Sequence, residues 1–307
     1  MPSGKIIKSL SGFYEVHTGR AVYRCRAKGV FRSLGVKPLV GDDVEFDVIA
    51  ESAEPKEGTI TRILPRKNEL IRPSVANIDQ SLLVFAITHP APSYQMLDRF
   101  LISMQERKLP AILCFSKADL APEAEKEELR GIYGRCGCQI FFLSTEEGSG
   151  LDAIRRVLRG KTTVFAGPSG VGKSTLINLL CPEAEAETGE LSRKIQRGKN
   201  TTRHVELFRV DEEDGTGTFV MDTPGFTSLD VMAGQAEELK DYYPEFVPYL
   251  GKCRFDGCNH MEEPGCAVRQ AVQEGQIPVA RYENYRALFL ELKDRKPVYR
   301  KERNGRG

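Results

Sequence analysis

The chain has 307 residues, of which 40% are hydrophobic and 28% are charged, and its formal net charge is +1. These values are typical of an ordinary globular protein that is long enough for two or three domains. No stretch approaches the roughly 20 apolar residues that a membrane-spanning helix needs, and the first residues lack the apolar core of a signal peptide. We therefore expect a cytoplasmic protein with no membrane partner.

Positive charge is concentrated at both ends of the chain. Residues 1–37 carry eight Lys and Arg against Glu15 alone, and residues 291–307 carry seven cations against three acids. Basic ends on an acidic body are typical of a protein that contacts a polyanion through its flanks. Solvated surface faces explain the same distribution, so charge alone leaves both interpretations open.

Residues 1–70 contain short alternating segments separated by turns, and this pattern predicts a small β-barrel of about five strands, with the OB-fold as the candidate. The predicted strands include GFYEVHT, AVYRCRA, GVFRSL and GTITRIL, with a turn at VGDDVEF before the last of them. Basic and aromatic side chains are mixed along this part, which is typical of barrels that bind single-stranded nucleic acid, although a purely structural barrel also fits. The candidate RNA-binding residues are Arg20, Arg24, Arg26, Lys28 and Arg32.

Apolar runs alternate with helical segments over residues 71–231, whereas residues 232–307 are polar and contain a group of Cys and His. Continuous apolar strands between helices predict a mostly parallel sheet that is covered on both faces. We therefore expect three domains: a barrel, a central α/β domain and a mainly helical C-terminal domain.

The segment GPSGVGKST matches the phosphate-binding P-loop, because it follows the apolar run TTVFAG and opens the helical run STLINLL. Glycines let successive backbone N–H groups face phosphate oxygens at a helix N-terminus. Lys173 would bridge the β- and γ-phosphates, and the Ser174 hydroxyl would bind Mg²⁺. The predicted phosphate-binding residues are Gly167, Pro168, Ser169, Gly170, Val171, Gly172, Lys173, Ser174 and Thr175.

Two further motifs belong with a P-loop. MDTPG ends an apolar strand, so that Asp222 would hold Mg²⁺ and the Gly225 N–H would contact the γ-phosphate. RGKNTTRH lies between the P-loop and MDTPG, and Thr201 or Thr202 would coordinate Mg²⁺ only while the γ-phosphate is present.

The segment FSKAD is typical of a guanine-binding loop. The Asp119 carboxylate can accept hydrogen bonds from N1–H and the 2-amino group of guanine together, whereas adenine would leave it unpaired. The Asp119 carboxylate therefore argues against one hypothesis for the chain, an ATP-driven enzyme. Ser116 replaces the Asn of the commoner NKxD motif, so we expect a looser tie to the P-loop and a modest loss of nucleotide affinity. The remaining predicted base contacts are Lys117, Ala118, Ser144 and Thr145.

The order of these motifs is unusual, because the base-binding loop precedes the P-loop. In this order, RPSVANIDQ, GPSGVGKSTLIN, RGKNTTRHVEL and DTPGF resemble the circularly permuted GTPases, and within them the bacterial GTPases of small ribosomal subunit biogenesis. The resemblance implies a monomeric GTPase that binds the small subunit and its rRNA late in maturation. It also implies that the subunit stimulates GTP hydrolysis and that hydrolysis drives release.

Four residues of the last domain have the spacing of a closed zinc site: Cys253, Cys258, His260 and Cys266. Three thiolates and one imidazole with no open position indicate a structural ion, and disulfides are disfavoured in the cytosol. The resemblance implies the same zinc-binding domain. We therefore expect one structural Zn²⁺, in addition to Mg²⁺ bound with GTP.

The group that orients the attacking water stays open. Phe226 stands where many GTPases have Gln, and an apolar ring cannot orient water. The resemblance implies a switch-loop His, but the matching position is Asn200, which leaves Asn200, Thr202 and His204 as candidates. The alternative hypothesis is therefore a nucleotide-switched RNA-binding regulator without useful turnover.

Overall fold

The computed structural model describes residues 1–50, 55–70, 73–182, 205–210, 217–222 and 236–295. These residues form two compact units, one made of Met1–Gly134 and Cys138–Val231 and the other of Arg135–Gly137 and Met232–Gly307. No described helix has the length and apolar character needed to cross a membrane.

The first part of the larger unit is a closed five-stranded barrel with the neighbour order β1-β2-β3-β5-β4. Its strands are β1 (Ser3–Leu10), β2 (Phe13–His17), β3 (Val22–Ala27), β4 (Asp43–Ala50) and β5 (Lys56–Ile63). Alternate side chains point inward, so that Val16, Cys25 and Phe46 are completely buried. The predicted OB-like barrel is confirmed.

One predicted strand of the barrel is wrong. GVFRSL forms a short helix, α1 (Val30–Ser33), in which the Leu34 N–H donates to the Val30 carbonyl at 3.0 Å. Phe31 is buried beneath it, whereas Val30 and Leu34 are 50% and 66% exposed. The apolar residues at 30, 31 and 34 have helical spacing, which the alternating pattern of the neighbouring segments obscured.

The second part of the larger unit is a six-stranded sheet with the order β10-β9-β8-β11-β13-β12, parallel except for β12. Its strands are β8 (Gln80–Ala86), β9 (Ala111–Ser116), β10 (Gln139–Leu143), β11 (Thr162–Ala166), β12 (Phe208–Arg209) and β13 (Phe219–Asp222). The connecting helices are α2 (Tyr94–Glu106), α3 (Glu123–Tyr133), α4 (Leu151–Leu158) and α5 (Lys173–Leu180). The central strands are buried along their whole length, as expected for a sheet covered on both faces.

A short hairpin, β6 (Glu69–Leu70) with β7 (Val75–Ala76), joins the barrel to the sheet. The Asp42 carboxylate is fully buried and accepts hydrogen bonds from the Arg66 guanidinium at 2.7 and 2.8 Å. The Asn77 amide donates to the Gly41 carbonyl at 3.0 Å. Gly41 has φ +92°, and a Cβ there would lie 2.0 Å from the Ala76 carbonyl oxygen, so only glycine fits. This polar junction ties the segment that leads into the sheet to the barrel.

The smaller unit contains α6 (Ala267–Gln273) and α7 (Val279–Asp294), preceded by two 3₁₀ turns at Ala236–Tyr242 and Val247–Tyr249. Its core is aromatic, with Tyr243, Phe246 and Tyr285 packed at centroid distances of 5.0 to 5.3 Å. A fully buried ion pair, Arg281 with Glu245 at 2.6 Å, lies in the same core. The prediction of a mainly helical last part is confirmed.

Candidate nucleotide site and metal centre

The parallel sheet brings the predicted nucleotide motifs to one edge. Ser116 at the end of β9 is level with Ala86 on one side and Leu143 on the other, and Asp222 is level with Phe165 on β11. The chain therefore leaves β9, β10 and β11 at the same edge, with β8 lying between β9 and β11, to form the loops that begin at Lys117, Ser144 and Gly167. Carboxyl ends of parallel strands are the usual ligand-binding edge of such sheets.

The phosphate loop has the backbone geometry that its glycines predict. Gly167 has φ +142°, and a Cβ there would lie 2.1 Å from the Val84 carbonyl oxygen, so the loop can turn this closely over β8 only with glycine. Gly170 and Gly172 also have positive φ, and α5 begins directly after Gly172. The first backbone N–H groups of α5 therefore face the loop, which suits an anion.

Lys173 and Ser174 are the first two residues of α5, directly after the glycines of the loop. The Lys173 ammonium donates to the carbonyls of Gly167 and Pro168 at 2.9 and 2.7 Å, which holds it against the loop. Burial lowers the pKa of Lys173, while Asp222 acts in the opposite direction. A bound polyanion would compensate for this desolvation.

The Ser174 hydroxyl donates to the Asp222 carboxylate at 3.3 Å. A hydroxyl and a carboxylate at this spacing are oxygen ligands of the kind that Mg²⁺ prefers beside phosphates. The two residues that the sequence pairs across 48 positions are thus in contact, and they fit a Mg²⁺ ion.

The base-binding loop is tied directly to the phosphate loop. The Ser116 hydroxyl donates to the Val171 carbonyl at 2.6 Å and also lies 3.3 Å from the Phe85 carbonyl. We expected a looser tie because serine is shorter than asparagine. The two loops approach closely enough for the short side chain to bridge them, and the expected modest loss of nucleotide affinity stays a prediction.

The other predicted base contacts follow the ends of β9 and β10. Lys117 adopts a left-handed conformation with φ +57°, and its ammonium donates to the His89 carbonyl. Asp119 lies in a 3₁₀ turn with its side chain exposed, as a carboxylate that receives a ligand must be. Ser144 closes the neighbouring loop, because its hydroxyl accepts from the Glu147 N–H at 3.1 Å. Thr145 follows it and is half-buried.

Several predicted residues lie outside the described residues. They are the switch and catalytic candidates Asn200, Thr201, Thr202 and His204, together with Gly225 and Phe226. Their assignments stay predictions.

The predicted RNA-binding residues lie on different elements of the barrel region. Arg24 and Arg26 both stack on the Phe13 ring, with guanidinium carbons 4.0 and 4.6 Å from its centroid. Arg24 also lies level with Glu15 and Glu57 on the flanking strands, which reduces the local positive charge. Lys28 lies 3.6 Å from Asp47, Arg32 is exposed on α1, and Arg20 is exposed in the turn before β3.

A second connection between sheet and barrel was not predicted. The Leu207 N–H donates to the Ile7 carbonyl at 2.8 Å, which adds the segment before β12 to barrel strand β1. Lys8 and Glu206 form an ion pair at 2.9 Å beside it, and the hydrogen bond to Glu206 raises the pKa of Lys8. The sequence offered no signal for this contact, because the two residues are 198 positions apart.

The four predicted metal ligands lie together, with all ligand atoms within 4.8 Å of one another. The Cys253 sulfur is 3.6 Å from His260 Nδ1 and 3.9 Å from the Cys266 sulfur, and His260 Nδ1 is 3.4 Å from the Cys266 sulfur. Tetrahedral zinc with Zn–S of about 2.3 Å and Zn–N of about 2.0 Å requires ligand separations of about 3.5 to 3.8 Å. The residues therefore fit one zinc ion.

The burial of these Cys and His side chains also favours a bound cation at their centre. Burial raises the pKa of the Cys258 thiol to about 12 and that of Cys266 above its ordinary value. Burial lowers the pKa of His260 to about 4, so the imidazole is neutral and available as a ligand at pH 7. Thiolates in this setting require a positive charge among them, which a metal ion supplies.

The segment that carries the four candidate ligands, residues 253–266, is called the metal loop here. The groups that hold it were not predicted. The Glu263 carboxylate accepts the backbone N–H groups of Asn259, Met261 and Glu262 at 2.7 to 3.0 Å. From α7, the Tyr282 and Tyr285 hydroxyls donate to backbone carbonyls of the same loop at 2.8 and 2.6 Å. The sequence carried one signal for these groups, namely two tyrosines three residues apart in a helical segment, which lie on one helix face.

Comparison with known proteins agrees with this arrangement. The family model described as RsgA GTPase matches residues 63–232, and the one described as RsgA N-terminal domain matches residues 3–60. A relative from Agathobacter rectalis, named "Small ribosomal subunit biogenesis GTPase RsgA", is 48% identical over 304 residues, which cover 95% of this chain and 99% of that protein. A relative of the same name from Alkaliphilus metalliredigens is 46% identical over 95% of this chain and 98% of its own length.

Two solved structures have the same fold. YloQ, described as a circularly permuted GTPase, matches with a TM-score of 0.76 and 38% identity over 97% of each chain. YjeQ from Thermotoga maritima matches with a TM-score of 0.79 and 34% identity over 96% of this chain and 99% of that one. The motif order, the strand order and these matches agree: the chain belongs to the RsgA GTPase family and is a circularly permuted, GTP-hydrolysing enzyme.

Proposed function

We propose that the chain binds the small ribosomal subunit through its rRNA, assists late maturation of the subunit and leaves after GTP hydrolysis. The names of the curated relatives support the partner. The observation that carries the coupling is that the nucleotide loops and the basic barrel belong to one compact unit, joined by a buried polar junction. We expect a change at the nucleotide to reach the RNA-binding surface through such a rigid junction.

The proposed nucleotide contacts follow from the sheet edge. N–H groups of the Gly167–Thr175 loop bind the phosphates, Lys173 bridges the β- and γ-phosphates, and the Asp119 carboxylate accepts the guanine edge. The remaining base contacts are Ser116, Lys117, Ala118, Ser144 and Thr145. Gly225 contacts the γ-phosphate through its N–H.

Mg²⁺ neutralises developing charge on the phosphates when it is bound. Ser174 and Asp222 hold it, together with Thr201 or Thr202. Asn200, Thr202 and His204 are the candidates for orienting the attacking water. One zinc ion, held by Cys253, Cys258, His260 and Cys266, orders the loop of the C-terminal unit and takes no part in hydrolysis.

The chain is proposed to act as a cytoplasmic monomer with three functional segments. Residues 1–70 contact rRNA through Arg20, Arg24, Arg26, Lys28 and Arg32. Residues 71–231 bind and hydrolyse GTP, and residues 232–307 provide the metal-stabilised C-terminal domain.

GTP turnover with and without purified small subunits tests the proposal. We expect faster turnover in the presence of subunits, and tighter subunit binding with a non-hydrolysable GTP analogue than with GDP. Large subunits at the same concentration are the control. Equal rates under all three conditions would overturn the coupling, and equal affinity in both nucleotide states would overturn hydrolysis-driven release.

A further inference from the structure

The loop between β8 and α2, residues 87–93, lies against the predicted base-binding loop. The Ile87 N–H donates to the Ser116 carbonyl at 3.1 Å, and the Lys117 ammonium donates to the His89 carbonyl. His89 and Lys117 are 28 positions apart, and His89 belongs to none of the nucleotide motifs. The loop after β8 is therefore a neighbour of the base site that the motifs do not include.

Few contacts hold this loop from the other side. A cavity of about 150 Å³ lies between it and the phosphate loop, lined by apolar side chains that include Pro90, Pro92 and Pro168. Pro90 and Pro92 have no N–H to donate. The Thr88 hydroxyl is buried but has no hydrogen-bond partner in the described part of the chain. The direction of the His89 carbonyl therefore depends chiefly on the backbone conformation of His89 itself.

His89 and Lys117 both adopt the left-handed backbone conformation, with φ of +39° and +57°. Neither residue is glycine, and a side chain disfavours this conformation because its Cβ approaches the following carbonyl oxygen. Two such residues in direct contact at the ligand-binding edge of the sheet are typical of a site where the backbone holds a functional group in place.

We infer that His89 is a positioning residue for guanine recognition, because its left-handed backbone directs the carbonyl that anchors the Lys117 ammonium. An anchored Lys117 stem can lie across the base, and it loses less conformational entropy on binding than a free one. The inference rests on the proposed function for the role of Lys117 at the base. His89 acts through its conformation, and its imidazole takes no part.

The test compares residues at position 89 that differ in their tolerance of the left-handed conformation. His89→Val introduces a β-branched side chain, which this conformation strongly disfavours, whereas His89→Gly and His89→Asn accept it. A fluorescent GDP analogue reports base and phosphate contacts together in the full-length, zinc-loaded chain, and competition by tripolyphosphate reports the phosphate contacts alone. Lys108→Val is the matched control, because Lys108 also has a positive φ, +53°, and is exposed between α2 and β9.

We expect His89→Val to lower GDP affinity by about 5- to 30-fold, the equivalent of the cost of a left-handed residue, because the loop relaxes and its carbonyl leaves the ammonium. His89→Gly, His89→Asn and Lys108→Val should bind GDP within about twofold of the wild type. Affinity for tripolyphosphate should be the same in every variant. In a Lys117→Met background, His89→Val should have no further effect, since the carbonyl then has no ammonium to anchor.

Four results would overturn the inference. They are wild-type GDP affinity in His89→Val, an equal loss in His89→Gly and His89→Asn, the same loss from His89→Val in the Lys117→Met background, and a parallel loss of tripolyphosphate affinity. The last would show general damage to the phosphate loop. Failure of the proposed base contact is distinguishable, because Lys117→Met alone would then bind GDP as the wild type does, and the inference would fall with it.

Discussion

The Ser116 hydroxyl donates to the Val171 carbonyl at 2.6 Å, across 55 residues of sequence. This bond joins the loop that carries Asp119 to the loop that carries Lys173, so that base recognition and phosphate binding share one frame. In the permuted chain the two loops are separated by two helices and two strands, α3, β10, α4 and β11, and the side-chain bond connects them directly.

Ser116→Ala should therefore weaken binding of both GTP and GDP. The buried Val171 carbonyl loses its donor, and we expect affinity to fall by about 2- to 13-fold, the equivalent of one net hydrogen bond. Titration with fluorescent GTP and GDP analogues measures the two affinities. Ser33→Ala is the control, since it removes a similar serine-to-carbonyl bond on α1 of the barrel. Tighter binding by Ser116→Asn would show that serine does leave the tie loose.

Asp119→Asn should change base preference. The amide cannot accept from both guanine N–H groups, but its NH₂ can donate to the second carbonyl of xanthine. We expect GTP affinity to fall by at least about 100-fold and xanthosine triphosphate to become the better ligand. Competition titrations with the two nucleotides measure the shift, with Glu128→Gln on α3 as the exposed control. Unchanged preference for GTP would contradict the assignment of Asp119.

The glycine pattern, the apolar runs and the motif spacing were sufficient to predict the sheet, the glycine turns of the loop after β11 and the clustering of the four Cys and His residues. These are local signals, because a turn with positive φ or a tetrahedral site needs particular residues close together in sequence. The bond from Ser116 to Val171 could not be predicted in detail, since its existence depends on the distance between two loops. The strand predicted at GVFRSL failed because six residues do not distinguish helical from alternating spacing.

The sequence also gave no indication of how the barrel meets the sheet. Asp42 and Arg66 form their buried pair across 24 residues, and Asn77 reaches Gly41 across 36. Such contacts depend on tertiary packing, which local propensity does not encode.

The Lys8–Glu206 pair should stabilise the connection between the barrel and the segment before β12. Both side chains are about 30% exposed, so we expect Glu206→Gln to lower the free energy of unfolding by about 0.5–1 kcal/mol. Because its folded pKa is raised, Lys8 contributes fully at neutral pH and loses the contribution only as pH rises through that pKa. Urea denaturation at pH 7 measures the change.

The exchange of charges is the sharper test of this pair. Lys8→Glu places two acids together and should destabilise more than Glu206→Gln, and adding Glu206→Lys should restore part of the loss. The exposed Lys28–Asp47 pair serves as the control for a surface contact within the barrel. A double variant no more stable than Lys8→Glu would refute the pairing in solution.

Removal of the metal should unfold the C-terminal unit and leave nucleotide binding intact. Without a cation, the buried thiols remain protonated, since the pKa of Cys258 is about 12. The loop then loses the ion that would join its four ligand side chains. We expect a strong chelator, or Cys258→Ser, to abolish the near-ultraviolet circular dichroism of the tyrosine core around Tyr243 and Tyr285. Cys138→Ser, outside the metal group, should retain it. Affinity for GDP, measured on the same samples, should change by less than about twofold, because the phosphate and base loops belong to the other unit.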